Sequence, residues 1–594
     1  MKKTKIIIVD SGISPDAKCA SNVSESYKLV ENNAVLSIEN AELNDFVGHG
    51  TAVANIIYSC NEAIDLISFR VCDSEMEIND SGLIAVLKYI NENIQASIIN
   101  ISLGCTYVYH YDELEKICSS LKNKGFVIVA AFDNEGAVSY PSALDSVIGI
   151  DVTKSYAKNS SEKINAYIYQ NSIVDVVLPN VFYRTQWLDK KTILKGTSFA
   201  CAKITGLLSL KIETAQLPTK KLDILNLLEN DYTLMYKSPF YEAKISSPSF
   251  TVKKAIIFPV NKESHALLRY KQMLKFDLVG VYDERLSGNV GRIIFNEEIK
   301  SIDKLDWNDD FDTIILSCFS DLSMLTNRDY AKQIMDNAIR HNKNVYSFEE
   351  IASDYSHLFC PMVVKSNIPY SNRWKMRKIS VPVVCVMGTS PKQGKFTLQL
   401  DIVNRLSNIG YSTGFIASEP SGYLFGADAV FHFGHRSSLS LHPQETAALL
   451  NEMSWHAQIK GRDIIISGSQ SGTIHYNNST IECFSIDQYG FLLGMMADYY
   501  ILCINPHDEL EYVEKTINFV NSIDEGKVMA LVVYPIKAIE TLSGIKYKNE
   551  ALLEKDLYRL KNSYNEFFEL PAYVLGNEDD MESLAKQIID WFSE

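Results

Sequence analysis

Apolar runs of strand length punctuate the first 150 residues: "KIIIVD", "IDLISFRV", "ASIINISLG" and "FVIVAAFDN". Between them, "GTAVANIIYS" and "YDELEKICSSLKNKG" space their apolar residues as helices do. Strand alternating with helix predicts an α/β fold with a mainly parallel sheet and polar loops at its strand ends. The rhythm fades after "LDILNLLEND", and "YKSPFYEAKISSPSF" has the Ser, Pro and charge of a linker. The first domain is therefore expected over residues 1–235 and a linker over 236–254.

A second α/β segment, 255–378, opens at "KAIIFPVNKESHALLRYKQML" and continues through "FDLVGVYDE" and "FDTIILSCFSD". It reads as a Rossmann-like domain without a GxGxxG turn. The third, 379–594, begins "SVPVVCVMGTSPKQGKFTLQL", a strand, a glycine-bearing loop and a helix, and ends in the amphipathic "DDMESLAKQIIDWF". It reads as a P-loop NTPase-like α/β domain. A chain of 594 residues exceeds one hydrophobic core, which agrees with this division.

A formal charge of −16 and a pI near 5.3 disfavour nucleic acid or an anionic membrane as a general partner. The basic run "NRWKMRK" (372–378) is expected to be a solvated linker face. Eleven cysteines without a CxxC pair suit a reducing cytosol, hence a cytoplasmic location. The apolar run of "MKKTKIIIVDSG" is too short for a signal peptide, and no segment approaches the roughly 18 apolar residues of a membrane span.

Three residues carry candidate chemistry. Asp10 ends the strand in "IIIVDSGI", His49 stands in "GHGTAVANII" at a helix start, and Ser198 stands in "GTSFACAKITG", also at a helix start. Singly, each has a plain structural reading as a turn cap, a helix-start residue or an N-cap. Together they supply a hydroxyl nucleophile, an imidazole to take its proton and a carboxylate to fix the imidazole's tautomer.

With their flanks, "VDSGI", "GHGTAVA" and "GTSFACAKITG" resemble the subtilisin-like serine proteases, whose triad runs Asp, His, Ser along the chain. "INISLG" (99–104) resembles that family's cleft strand, so the resemblance implies that Ser102, Leu103 and Gly104 pair with an extended peptide. "VAAFDNEG" (129–136) resembles the oxyanion segment and implies Asn134 as the amide donor, a kind of group worth about 10²- to 10³-fold in rate. "SYPSALDSVIGI" places Ser139 near the floor of the main specificity pocket. Departures are Ala202 for the usual proline, Lys203 for the usual histidine and Asp133 for the usual glycine. They imply a divergent enzyme of narrow substrate range. Asp10 already lies on the first strand, so the expectation is a protease that folds without the long pro-domain of secreted members.

In the third segment, backbone N–H groups around Gly388, Thr389 and Gly394, with the ammonium of Lys395, form a phosphate-cradling pattern. It implies ATP or another nucleotide with Mg²⁺. Phe396 stands where the strict pattern has Ser or Thr, with Thr397 one step late, so the Mg²⁺ ligand stays open. The segment resembles dethiobiotin-synthetase-like P-loop proteins in "GTSPKQGK", "ASEPSGYLFGAD" and "DIIISGSQSGTIHY". Ser467 replaces their acidic residue, with Glu419 and Asp428 as substitutes or as surface carboxylates.

The fusion resembles accessory proteins of bacterial peptide maturation systems, which implies a precursor peptide substrate and leader removal in the cytoplasm. Two other readings share the residues: an ATP-dependent ligase or kinase with an attached protease, and a binding protein with degenerate sites. Calcium sites, the nucleotide base and the oligomeric state are unassigned by the sequence.

Overall fold

Every residue of "IIIV" in β1 (Thr4–Asp10) is buried, as a strand inside a parallel sheet with both faces covered requires. The structure is a computed structural model that describes residues 3–593 apart from 33–34, 74–77, 97, 157–164, 213–219, 239–247, 362–367, 433–440, 476–484 and 541–546. The chain divides into two compact units. One is Met1–Ala243 with Pro369–Ser380, the other Lys244–Ile368 with Val381–Glu594.

In the first unit β2 (Val23–Asn32) and β3 (Val35–Asn40) precede α1 (His49–Cys60), β4 (Ile64–Arg70), α2 (Asp80–Asn93), β5 (Ile98–Ile101), α3 (Tyr111–Asn123) and β6 (Val127–Ala131). Then come β7 (Ile148–Tyr156), β8 (Asn165–Tyr169), β9 (Val176–Asn180), the hairpin of β10 (Tyr183–Trp187) and β11 (Lys190–Leu194), α4 (Thr197–Lys211) and β12 (Thr233–Lys237). The main sheet runs β12-β8-β9-β7-β6-β5-β1-β4-β2-β3 among the described residues. It is parallel except at β2/β3 and β8/β9. Helices α1 and α4 are apolar almost all round and bury against the sheet with Ile6, Ile8 and Val129. They approach so closely that a Cβ on Gly206 would lie 2.7 Å from the Cβ of Cys60. This packing brings the two helix starts, His49 and Ser198, to the same end of the sheet.

Among the described residues the second unit has two seven-stranded sheets besides a short hairpin. One joins β13 (Lys254–Phe258), β14 (Asp277–Asp283), β15 (Ile293–Ile294), β16 (Glu297–Ser301), β17 (Thr313–Leu316), β18 (Asn344–Ser347) and β19 (Leu358–Phe359) in the order β15-β16-β14-β13-β17-β18-β19. The other is all parallel, with β20 (Val383–Gly388) at its centre, in the order β22 (Ala429–Val430), β21 (Thr413–Ala417), β23 (Ile464–Gly468), β20, β24 (Tyr499–Ile504), β25 (Lys527–Val533) and the last strand Ala572–Val574. No described helix is long and apolar enough to cross a membrane.

Two expectations are corrected. Tyr236 and Lys237, expected in the linker, pair with Ile168 and Tyr169 as the end of β12, and Lys254 opens β13; linker residues 239–247 lie outside the described residues. The basic run 372–378 is not a solvated face: it packs within the first unit, with Lys375 and Arg377 each 9% exposed. Their partners explain the burial, since a cation leaves water only where other groups replace its hydration.

Candidate active site

Asp10 closes β1 with no solvent exposure, and its Oδ1 takes Nδ1 of His49 at 2.8 Å and the Ser11 N–H at 2.8 Å. Burial disfavours the imidazolium, but the charge of Asp10 and its hydrogen bond, with a further contribution from Asp45, hold His49 above the usual imidazole value. Trp187 meets the imidazole edge-on at 5.9 Å and Phe199 lies 5.4 Å away, so two aromatic rings wall the imidazole.

Ser198 is 7% exposed on the first turn of α4. Its Oγ donates to the Ser102 carbonyl at 2.8 Å and not to the imidazole. The structure therefore joins Asp10 to His49 and leaves Ser198 beside them, parked on the cleft strand. Asn134 accepts from the Thr197 N–H at 3.0 Å and the Thr197 hydroxyl at 3.1 Å through Oδ1. That assigns the amide's orientation and turns Nδ2 to the other side. Gly196 takes φ +130°, and a Cβ there would fall 2.8 Å from Asn134 Oδ1, so only glycine lets the two segments meet.

The expected cleft strand follows directly on β5, with Ser102, Leu103 and Gly104. Ser102 and Leu103 are buried, and Gly104 is exposed. A Cβ on Gly104 would lie 3.6 Å from that of Ser139, so the strand backs onto the expected pocket residue. The Ser139 hydroxyl is turned inward, accepting from the Asp133 N–H at 2.9 Å and meeting Ser142 Oγ at 3.3 Å. Asp133, standing where glycine is usual, binds the Gly136 and Ala137 N–H groups through its carboxylate.

Asp45 was missed in the sequence. It accepts from Ser11 Oγ (2.8 Å), the N–H groups of Val47 (3.1 Å), Gly48 (2.7 Å) and Thr51 (2.8 Å), and Thr51 Oγ1 (2.6 Å). Its signal was a carboxylate four residues before the histidine, which here caps the entry to α1. Asp45→Ala strands those donors and is expected to cost about 3 kcal/mol, measured by urea unfolding. Asn100 was missed too; its Nδ2 reaches Thr205 Oγ1 at 2.8 Å and its Oδ1 accepts from Ser102 Oγ at 2.9 Å, tying cleft strand to α4.

In the second unit Gly388 ends β20, Gly394 precedes the helix Lys395–Asn408, and Thr389 lies in the loop between. The loop is closed on itself. Gln393 Oε1 accepts the Ser390 N–H at 3.0 Å, its Nε2 donates to Thr389 Oγ1 at 2.6 Å, and Lys395 Nζ donates to the Ser390 carbonyl at 2.7 Å. Thr389 Oγ1 also donates to Asp508. Lys395 is 4% exposed and burial pulls its pKa down to about 8. A buried ammonium satisfied by one carbonyl fits an incoming phosphate, which supplies the missing countercharge. The expected Mg²⁺ position does not fit: Phe396 packs in the core with Phe415 and Phe425, and Thr397 is half-buried one step along. Ser467, one residue before the end of β23, is buried, with its hydroxyl lacking a partner. Asp428 is engaged by Arg462 at 2.8 Å, while burial raises Glu419 to about 7. Among the described residues no cluster of three or more His, Cys, Asp or Glu is placed to hold a metal ion.

Phosphate binding at pH 8 is expected to take up as much as half a proton, because the phosphate's charge lifts Lys395 back towards its ordinary value. Calorimetry of ATP or inorganic phosphate in buffers of different ionisation enthalpy measures it. Uptake disappears in Lys395→Ala.

Residues 1–230 match the Subtilase family, and residues 372–584 match the family described as a domain of unknown function (DUF1611_C) P-loop domain. Subtilisin-like protease 2 of Pseudogymnoascus destructans is 26% identical over 172 residues, 27% of this chain and 41% of that protein. The epidermin leader peptide-processing serine protease EpiP of Staphylococcus epidermidis is 24% identical over 290 residues, 36% of this chain and 61% of that protein. The chain thus spans 41% and 61% of the length of these curated relatives. Among solved structures, a DUF1611 family protein from Anabaena variabilis overlaps 57% of this chain and 100% of its own at 12% identity, with a TM-score of 0.42. The chain joins a subtilisin-like serine protease domain of the subtilase family to a P-loop domain of the DUF1611 family.

Proposed function

We propose that the first unit is a serine endopeptidase that cleaves a specific precursor peptide inside the cell, with Ser198 as nucleophile, His49 as base then acid, Asp10 as its orienting partner and Asn134 as oxyanion donor. The observation that carries this reading is the buried Asp10–His49 hydrogen bond beside a serine on the first turn of α4. The 24% identity to a leader peptide-processing protease supports a peptide leader as substrate class. Eleven cysteines without a CxxC pair support the cellular site.

The parked serine gives the mechanism its first step. An extended peptide pairing with the cleft strand brings an N–H to the Ser102 carbonyl and displaces Ser198 Oγ, which rotates to His49 Nε2. Oγ then attacks the scissile carbonyl carbon as its proton passes to Nε2, and the carbonyl oxygen becomes an oxyanion facing Asn134 Nδ2 and the Ser198 N–H. The C–N bond breaks, the leaving amine takes the proton from Nε2, and water hydrolyses the acyl-serine by the same relay.

The second unit is proposed to bind a nucleotide phosphate through Lys395 and the Gly388–Gly394 loop, and to bind rather than rapidly hydrolyse it, because Phe396 and Ser467 stand where metal-organising groups are expected. The flanking of β13 by β14 and β17 supports a Rossmann-like reading of the sheet before it. The test is labelling of the full chain by a fluorophosphonate probe, with and without ATP and Mg²⁺, and mapping of the adduct by mass spectrometry. An adduct on Ser198 supports the protease; no adduct under either condition overturns it.

A further inference from the structure

Residues 369–380 are separated in sequence from the rest of the first unit by 125 residues of the second, yet they pack with the first. They anchor at both ends and in the middle. Ser172 Oγ donates to the Ser371 carbonyl at 2.7 Å, the Arg373 guanidinium lies 4.2 Å from the Tyr169 ring centre, and Ser380 Oγ donates to the Val108 carbonyl at 3.3 Å. Between these anchors, Lys375 pairs with Asp151 at 3.2 Å. The Val138 N–H donates to the Met376 carbonyl at 2.9 Å, and Arg377 donates to the Tyr140 hydroxyl.

Val138 and Tyr140 flank Ser139, and the loop they belong to carries Asn134. On its other side this loop is fixed to the cleft: Cys105 and Tyr140 exchange both backbone hydrogen bonds, at 2.9 and 2.8 Å. The loop thus has the cleft strand on one side and residues 369–380 on the other. Its own internal bonds, from Asp133 to the Gly136 and Ala137 N–H groups, shape the turn but do not tie it to the body of the unit. Two buried cations are a costly way to fill such a place unless their geometry is used.

We propose that residues 369–380 form a strap that holds the 133–140 loop against the cleft, and that Arg377 is a positioning residue for the substrate pocket, acting through the Tyr140 hydroxyl. The inference rests on the protease reading for its catalytic consequence, while the constraint on the loop stands independently. A pocket wall displaced by about 1 Å costs on the order of 10²-fold in reaction with a substrate that must fill it. A reagent that reaches Ser198 without filling the pocket is spared, because Asn134, in the same loop, stays pinned by the Thr197 N–H and hydroxyl.

Full-length wild type, Arg377→Ala, Arg377→Lys, Tyr140→Phe and the Ala/Phe double variant are compared in two ways. Hydrogen exchange is expected to quicken about tenfold at residues 133–140 in Arg377→Ala and Tyr140→Phe, with β1 and β5 unchanged, no further change in the double variant and partial rescue in Arg377→Lys. Inactivation by a panel of aminoalkyl diphenyl phosphonates with different side chains is expected to slow about tenfold for those wild type prefers, while a plain fluorophosphonate stays within about twofold. Additive effects of the two substitutions, unchanged exchange in the loop, or parallel loss with both reagents overturns the proposal. If wild type reacts with neither reagent, the protease reading fails, and exchange alone decides the strap. If Arg377→Ala does not fold, Arg377→Lys and Tyr140→Phe carry the same comparison.

Discussion

Ser198→Ala is expected to lower peptide cleavage by about 10⁶-fold and to abolish fluorophosphonate labelling, with little change in stability. Among the described residues the hydroxyl makes one hydrogen bond, to the Ser102 carbonyl. His49→Ala alone is expected to cost nearly as much, and the double variant little more than either, because an imidazole without a hydroxyl to deprotonate does no chemistry. Single-turnover cleavage of a synthetic precursor peptide measures all three. Additive losses would show that Ser198 and His49 do not act as a pair, and that the resting separation between them persists with substrate bound.

Asp10→Asn is expected to cost about 10⁴-fold, with the fold intact. Asp10 Oδ1 sits 2.8 Å from His49 Nδ1 and fixes the proton there, leaving Nε2 as the base. An asparagine turned with its amide towards Nδ1 stabilises the opposite tautomer. The substitution also changes the pH profile. Burial lowers His49, and Asp10 and Asp45 raise it by more, so cleavage by wild type should rise with pH through a midpoint above the ordinary 6.5. Removing the Asp10 charge moves that midpoint down. Stability moves in the opposite sense in wild type: the folded state favours the imidazolium, so the pair's contribution is complete below about pH 6.5 and is lost as pH climbs through the raised value. Pre-steady-state rates from pH 5 to 9 and urea unfolding over the same range test both signs.

The sheet of the first unit was legible because parallel strands buried on both faces leave continuous apolar runs, as "IIIV" in β1 does. The hairpins β2/β3 and β10/β11 left no such trace, being half-buried or exposed along their length. Asp10, His49, Ser198 and Asn134 stood out through short flanking motifs, since each flank performs a local backbone task such as the positive-φ backbone at Gly196. Asp45 and Asn100 did not, because their roles consist of hydrogen bonds that only the folded chain assembles. The run "NRWKMRK" was misread for a general reason: charge in sequence suggests water, and only tertiary structure reveals Asp151 and Tyr140 waiting for Lys375 and Arg377. Phe396 shows the converse. The sequence flagged a missing metal ligand, but its use as a core side chain emerged only from its packing with Phe415 and Phe425.

The strap makes the boundary between the two halves different for the gene than for the fold. The P-loop family match opens at residue 372, inside a segment that the structure gives to the protease. An expression clone stopped after residue 243 therefore encodes a protease domain whose 133–140 loop has lost its strap, and one started at 372 encodes a P-loop protein trailing cations cut off from Tyr169, Asp151 and Tyr140. Recombination that exchanged either half at a family boundary would inherit the same defect. The fusion is in this sense an interleaving of two coding regions, and a working swap has to carry residues 369–380 along with the catalytic triad.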